Sequence, residues 1–151
     1  MLLAIHEFER KPRHDSRAIN AFLANHQFPL VEGQSVTFVY RGQADEVHLR
    51  HFIFGLQSDQ TMNRVGNSDL WFVVFDVPKR SRFEYKFDVR RGNKSTWVRD
   101  PLNHRMAHDP FGAISVCVTE GYEAPDWAEF DPEARQGQMI DLSLLDTMVA
   151  L

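Results

Sequence analysis

A single cysteine, Cys117, leaves these 151 residues without an internal disulfide or a thiolate metal cluster. No G-x-S-x-G stands in the chain, so the strained turn that presents a catalytic serine in α/β-hydrolases is missing. The eight serines fall in polar loops, turns or strands. The opening "MLLAIHEFERK" has five apolar residues before His6, too few for a signal-peptide core or a membrane span. No internal repeat and no low-complexity run interrupts the chain. These absences predict a cytoplasmic chain with no catalytic residues, no metal and no cofactor of its own.

What the chain does have is aromatic and charged. It is 43% hydrophobic and carries twelve phenylalanines, side chains that suit the pleated, half-buried surface of a sheet. Its net charge of −4 is unevenly spread. Residues 1–119 hold 16 lysines and arginines against 13 acids, whereas residues 120–151 hold Arg135 against eight acids. A mildly basic body therefore precedes a strongly acidic tail.

The pattern along the chain changes once. "HDSRAINAFLANHQ" reads as a helix, capped by Asp15 or Ser16, with Ile19, Phe22 and Leu23 at helical spacing. "FPLVEG" ends it. From Gln34 the period becomes that of strands: "SVTFVYRG", "DEVHLRHFIF", the mostly apolar "LWFVVFDVP", "STWVR" and "FGAISVCVT". The cleanest is "RFEYKFDVR", with Phe83, Tyr85, Phe87 and Val89 on a core face and Arg82, Glu84, Lys86, Asp88 and Arg90 on a wet one. "RGNK" is its hairpin turn, and "LQSDQTMNRVGNSD" reads as a polar loop. About seven short strands without intervening helices predict an all-β sandwich.

Three clusters carry candidate chemistry. His104 and His108, four apart, would share a metal on a helix, but the Asp-Pro pairs on both sides favour extended and turn backbone. His48 and His51 point to opposite faces of a strand. Eight basic residues between Lys79 and Arg99 form a patch, yet Glu84 and Asp88 interleave with them, which argues against nucleic acid. Trp97 beside Lys86 is the third. The indole packs in the core, or it offers a flat apolar face for a sugar ring while the ammonium bonds hydroxyls. Trp71 and Cys117 read as core, and Trp127 as a pin holding the tail to the sandwich or to a further domain.

Taken in order, "SVTFVYRGQADEVHLR", "DLWFVVFDVP", "RFEYKFDVRRGNKSTWVRDPLN" and "FGAISVCV" resemble the immunoglobulin-like early-set domain of family-48 carbohydrate-binding modules. More closely, they resemble the N-terminal domain of the enterochelin esterases. "GYEAPDW" followed by "ARQGQMIDLSLLD" is similar to the junction where the esterases' hydrolase domain starts. The resemblance implies an N-terminal helical segment over 1–29, an early-set β-sandwich over 30–120, and an acidic extension over 121–151. It implies a non-catalytic module that shapes the substrate cleft beside an α/β-hydrolase domain of the same gene product.

In glycogen-binding members, a Lys in the Tyr-Lys-Phe strand and a Trp before Asp-Pro contact sugar, and Lys86 and Trp97 hold those places. This chain has "FIFGLQSD" where such members carry a second stacking Trp, and "GAISV" where they place Asn. An anionic ferric catecholate siderophore would suit the basic patch by charge, with Arg82 and Arg99 beside Trp97 and Lys86. A freestanding saccharide-binding module, a protein-interaction module and a homodimer joined through strand edges are the competing expectations.

Overall fold

The computed structural model describes residues 1–128 together with 132, 133, 137, 138 and 140. It is an all-β sandwich of two antiparallel sheets with two short helices laid on one of them. The smaller sheet runs in the order β1 (Leu30–Glu32), β2 (Ser35–Arg41), β6 (Leu70–Asp76), β5 (Asn63–Arg64). The larger is β4 (Asp59–Thr61), β3 (Glu46–His51), β7 (Arg82–Arg91), β10 (Gly112–Val118), β9 (Met106–Asp109), and β8 (Lys94–Val98) also pairs with β7.

The core between the sheets follows from the alternation in β7. Phe83, Tyr85, Phe87 and Val89 are all buried, packed with Val36, Phe38 and Tyr40 of β2 and with Trp71 and Val73 of β6. The rings interlock across the gap: Phe38 meets Tyr85 edge-on at 4.8 Å, and Tyr40 meets Phe87 at 5.5 Å. Trp71 is core, as expected, and its indole N–H donates to the Gly42 carbonyl at 3.1 Å. Cys117 is buried too, and burial pushes its thiol up to about 12, which keeps it protonated and unreactive.

A second core lies on the other side of the smaller sheet. The expected helix is α2 (Ser16–Ala24), with Asp15 accepting from the Ala18 amide at 2.9 Å. A further helix, α1 (Ala4–Glu9), precedes it, where the sequence pattern assigns no element. Ile5 and Phe8 of α1 and Ile19 and Phe22 of α2 pack on Val39, Leu70 and Phe72. A six-residue helix has little stability alone, so this packing is what forms α1. Glu32 of β1 accepts from the Ala4 amide at 3.1 Å, fixing its start. The same cover explains why β2 is buried on both faces, Thr37 and Val39 included.

The polar loop expected over 56–69 contains the edge strands β4 and β5, and the proline-rich stretch before β10 contains β9. These short strands take their conformation from the neighbours they pair with rather than from any alternation of their own. Trp127 does not pack on the sandwich: it lies in a single 3-10 turn, Asp126–Ala128, and is 85% exposed. Among the described residues, no helix is long and apolar enough to cross a membrane.

Candidate functional site

The site is built by the β7–β8 hairpin. Gly92 takes φ 56° in the two-residue turn between the paired Arg91 and Lys94, a conformation that glycine adopts without strain. That register sets Trp97 opposite Asp88, so both side chains leave the outer face of the larger sheet. Trp97 is 53% exposed. The Arg50 guanidinium of β3 lies over its ring at 5.2 Å, a cation–π contact that holds the indole in place.

Lys86 stands opposite Arg50 in the β3–β7 pairing. With Trp97, Arg50 and Phe52 it lines a depression of about 170 Å³, closed on its other sides by Glu84, Asp109 and Ile114. The site thus joins an exposed indole, an aromatic ring and an ammonium with two carboxylates. Such a mixture can hold a ligand with a flat apolar face and polar edges. Among the described residues, Lys86 makes no hydrogen bond or ion pair.

The rest of the face is neutralised. Asp88, nearly fully buried, accepts from Arg90 Nε and Nη2, both at 3.0 Å, and from the Ser95 hydroxyl. Burial pushes the Asp88 carboxyl up, but the Ser95 and Arg90 hydrogen bonds and the Arg90 and Arg50 charges outweigh it, leaving the group below its ordinary value. Arg50 also pairs with Asp59 at 3.4 Å, and Asp59 with His48 at 2.7 Å. Arg90 reaches Glu46 at 3.6 Å. These cross-strand pairs are the interleaving seen in the sequence.

Two of the four candidate ligand residues are therefore brought together and two are not. Arg82, at the far end of β7, pairs with Glu84 at 3.5 Å and lines hollows beside Val118 and Phe83. Arg99 is exposed, and its Nη1 donates to the Met106 sulfur at 3.1 Å. His104 lies in a loop and His108 in β9; among the described residues no cluster of three or more His, Cys, Asp or Glu side chains could hold a metal. His48 and His51 do face opposite ways: His51 points inward against Phe75, where burial lowers its pKa against the raising effect of its hydrogen bond to the Gln57 backbone.

Sequence reasoning missed the support beneath Trp97. "DPLN" is not a plain turn. Asp100 is buried and accepts from the Tyr85 hydroxyl at 2.6 Å and the Leu102 amide at 2.8 Å, while its own amide donates to Ser115 Oγ at 2.8 Å. Asn103 Nδ2 donates to the Tyr85 oxygen at 2.9 Å and the Val116 carbonyl at 2.8 Å. Burial raises the Asp100 carboxyl to about 6, against the lowering effect of its hydrogen bonds, and raises the Tyr85 phenol well above its usual range. A signal was present: a tyrosine on the core face of β7 needs a partner for its hydroxyl.

No protein-family model and no curated protein matches this sequence. Solved structures do. The enterobactin esterase of Shigella flexneri, determined with 2,3-di-hydroxy-N-benzoyl-serine, matches over 67% of this chain and 34% of its own, with 20% identity and a TM-score of 0.50. The ferric enterobactin esterase of Salmonella typhimurium matches over 67% and 35%, with 18% identity and a TM-score of 0.52. A pullulanase of Paenibacillus barengoltzii complexed with maltotetraose reaches a TM-score of 0.48 at 12% identity, over 72% and 16%. The chain thus shares its fold with part of the two esterases and spans about a third of their length.

Proposed function

We propose that this chain is a non-catalytic module of an ester hydrolase of the enterochelin-esterase kind. Its early-set sandwich would wall a substrate cleft and seat against an α/β-hydrolase domain of the same gene product, in the cytoplasm. The observation that carries the reading is the uncovered apolar surface on the side of the larger sheet. Phe52 and Phe54 are largely exposed, and Phe52 walls both the Trp97 depression and the hollow it shares with Phe54, Val77 and Pro78. Contiguous exposed apolar surface marks an interaction or ligand site. Lys86, without an ion pair among the described residues, suits an anionic siderophore by charge, and the one-third span of the esterases supports a further domain.

The test is hydrolysis of simple aryl esters by the purified chain, with ferric enterobactin titrated against wild type and Trp97→Ala. The expected result is no serine-dependent turnover, with saturable tryptophan quenching that the variant loses. Robust turnover, or quenching unchanged in the variant, overturns the reading.

A second reading is a freestanding carbohydrate-binding module. It is favoured by the depression that Trp97 and Lys86 share, where a half-exposed indole stands beside an ammonium. Titration with a soluble maltooligosaccharide separates the two. Saturable binding lost in Trp97→Ala supports the glycan module; no binding leaves the cleft-shaping role.

A further inference from the structure

On another part of the molecule, two adjoining hollows of about 440 and 340 Å³ run between the end of α2 and the loop after β8. They share Gln27, Phe28, Asn103 and Arg105, and neither lining includes an aspartate or glutamate. Leu23, Phe28 and Leu102 supply apolar wall, while the Arg105 guanidinium supplies nitrogen donors. On a chain with 21 acids, a paired groove lined by basic, neutral polar and apolar groups without a carboxylate has a definite electrostatic character.

Arg105 is the centre of this arrangement. Its backbone is fixed on both sides, since its amide donates to the Asn103 side-chain oxygen at 2.9 Å and its carbonyl accepts from Val116 N at 3.0 Å. Its guanidinium forms no ion pair among the described residues and is exposed. His26 is oriented as well: its Nδ1 donates to the Phe22 carbonyl at 2.7 Å. A fork of donors on an anchored backbone, with apolar wall beside it, matches a phosphate or carboxylate joined to an apolar body.

We infer that this groove binds a small organic oxyanion, with the phosphate or carboxylate on Arg105 and the apolar part against Leu23, Phe28 and Leu102. The site is separate from the Trp97 depression and independent of the function proposed above: the linings share no residue.

The test is a titration followed through backbone amide resonances, with phenyl phosphate, phenylacetate and inorganic phosphate as probes. Saturable shifts of Leu102, Asn103 and Arg105 are expected with at least one phenyl compound, whose identity tells phosphate from carboxylate. Inorganic phosphate should bind at least about tenfold more weakly, because it cannot use the apolar wall. Arg105→Gln should weaken binding by about tenfold or more and Arg105→Lys by less. Both should melt like wild type, since Arg105 is held through its backbone. Absent shifts, shifts undiminished in Arg105→Gln, or equal affinity for inorganic phosphate overturns the inference.

Discussion

The phenol of Tyr85 donates a 2.6 Å hydrogen bond to Asp100, joining the middle of β7 to the segment that leaves β8. The same phenol oxygen accepts from Asn103, so one tyrosine ties together both polar residues of "DPLN". This linkage fixes where the chain turns after Trp97 and brings Asp100 against Ser115 of β10.

Tyr85→Phe would leave the buried Asp100 carboxyl without that donor while changing little volume. The expected loss is about 1–3 kcal/mol, because a buried polar group stripped of its partner retains its desolvation penalty. Urea denaturation at fixed pH measures it. A loss under about 0.5 kcal/mol would mean that the network contributes no net stability.

Asp100 makes stability depend on pH in a direction unusual for an acid. Its folded value of about 6 lies above the ordinary 3.8, so the native state holds the proton more tightly. The contribution is present in full below about pH 3.8 and is lost as pH rises through about 6, by up to about 3 kcal/mol. Asp88, held low, acts oppositely: its contribution is present above its ordinary value and lost as pH falls. Asp100→Asn should therefore remove the decline between about pH 4 and 6 and keep any loss at lower pH. Denaturation midpoints across that range test this.

Phe8 is buried and stacks on Phe22 at 4.6 Å. Phe8→Ala should cost about 3–5 kcal/mol, as for a buried aromatic in any core. The expected result is one cooperative transition at lower temperature. A separate early transition would show instead that the helices melt apart from the sandwich.

Trp97→Ala should barely change stability, by about 0.5–1 kcal/mol for the contact with Arg50, because the indole is half exposed. Thermal unfolding checks this, and a near-normal melting temperature lets any loss of ligand binding be assigned to the site rather than to the fold.

The strands most legible in the sequence were those whose two faces meet different surroundings. β7 alternates because its inner residues meet Phe38 and Tyr40 while most outer ones meet water. β2 is not half-exposed: Val36, Phe38 and Tyr40 meet the core between the sheets, and Val39 on its other face lies under α1 and α2. Asp88 reads as a surface charge, yet Ser95 and Arg90 surround it. The direction of Trp97 depends on hairpin register, and only a two-residue turn at Gly92 and Asn93 pairs it with Asp88. Arg82 and Arg99 lie near Lys86 and Trp97 in sequence, but the depression excludes them: four residues of strand carry Arg82 about 13 Å from Lys86 along the same face, and Arg99 lies past the end of β8 against Met106.

The roof that α1 and α2 form over the smaller sheet gives the molecule a front and a back. The helices cover the outer side of the smaller sheet, so of the two outer sheet faces only that of the larger sheet presents its strand side chains to solvent. Stripping that roof would uncover Val39, Leu70 and Phe72 together and leave a contiguous apolar face prone to self-association.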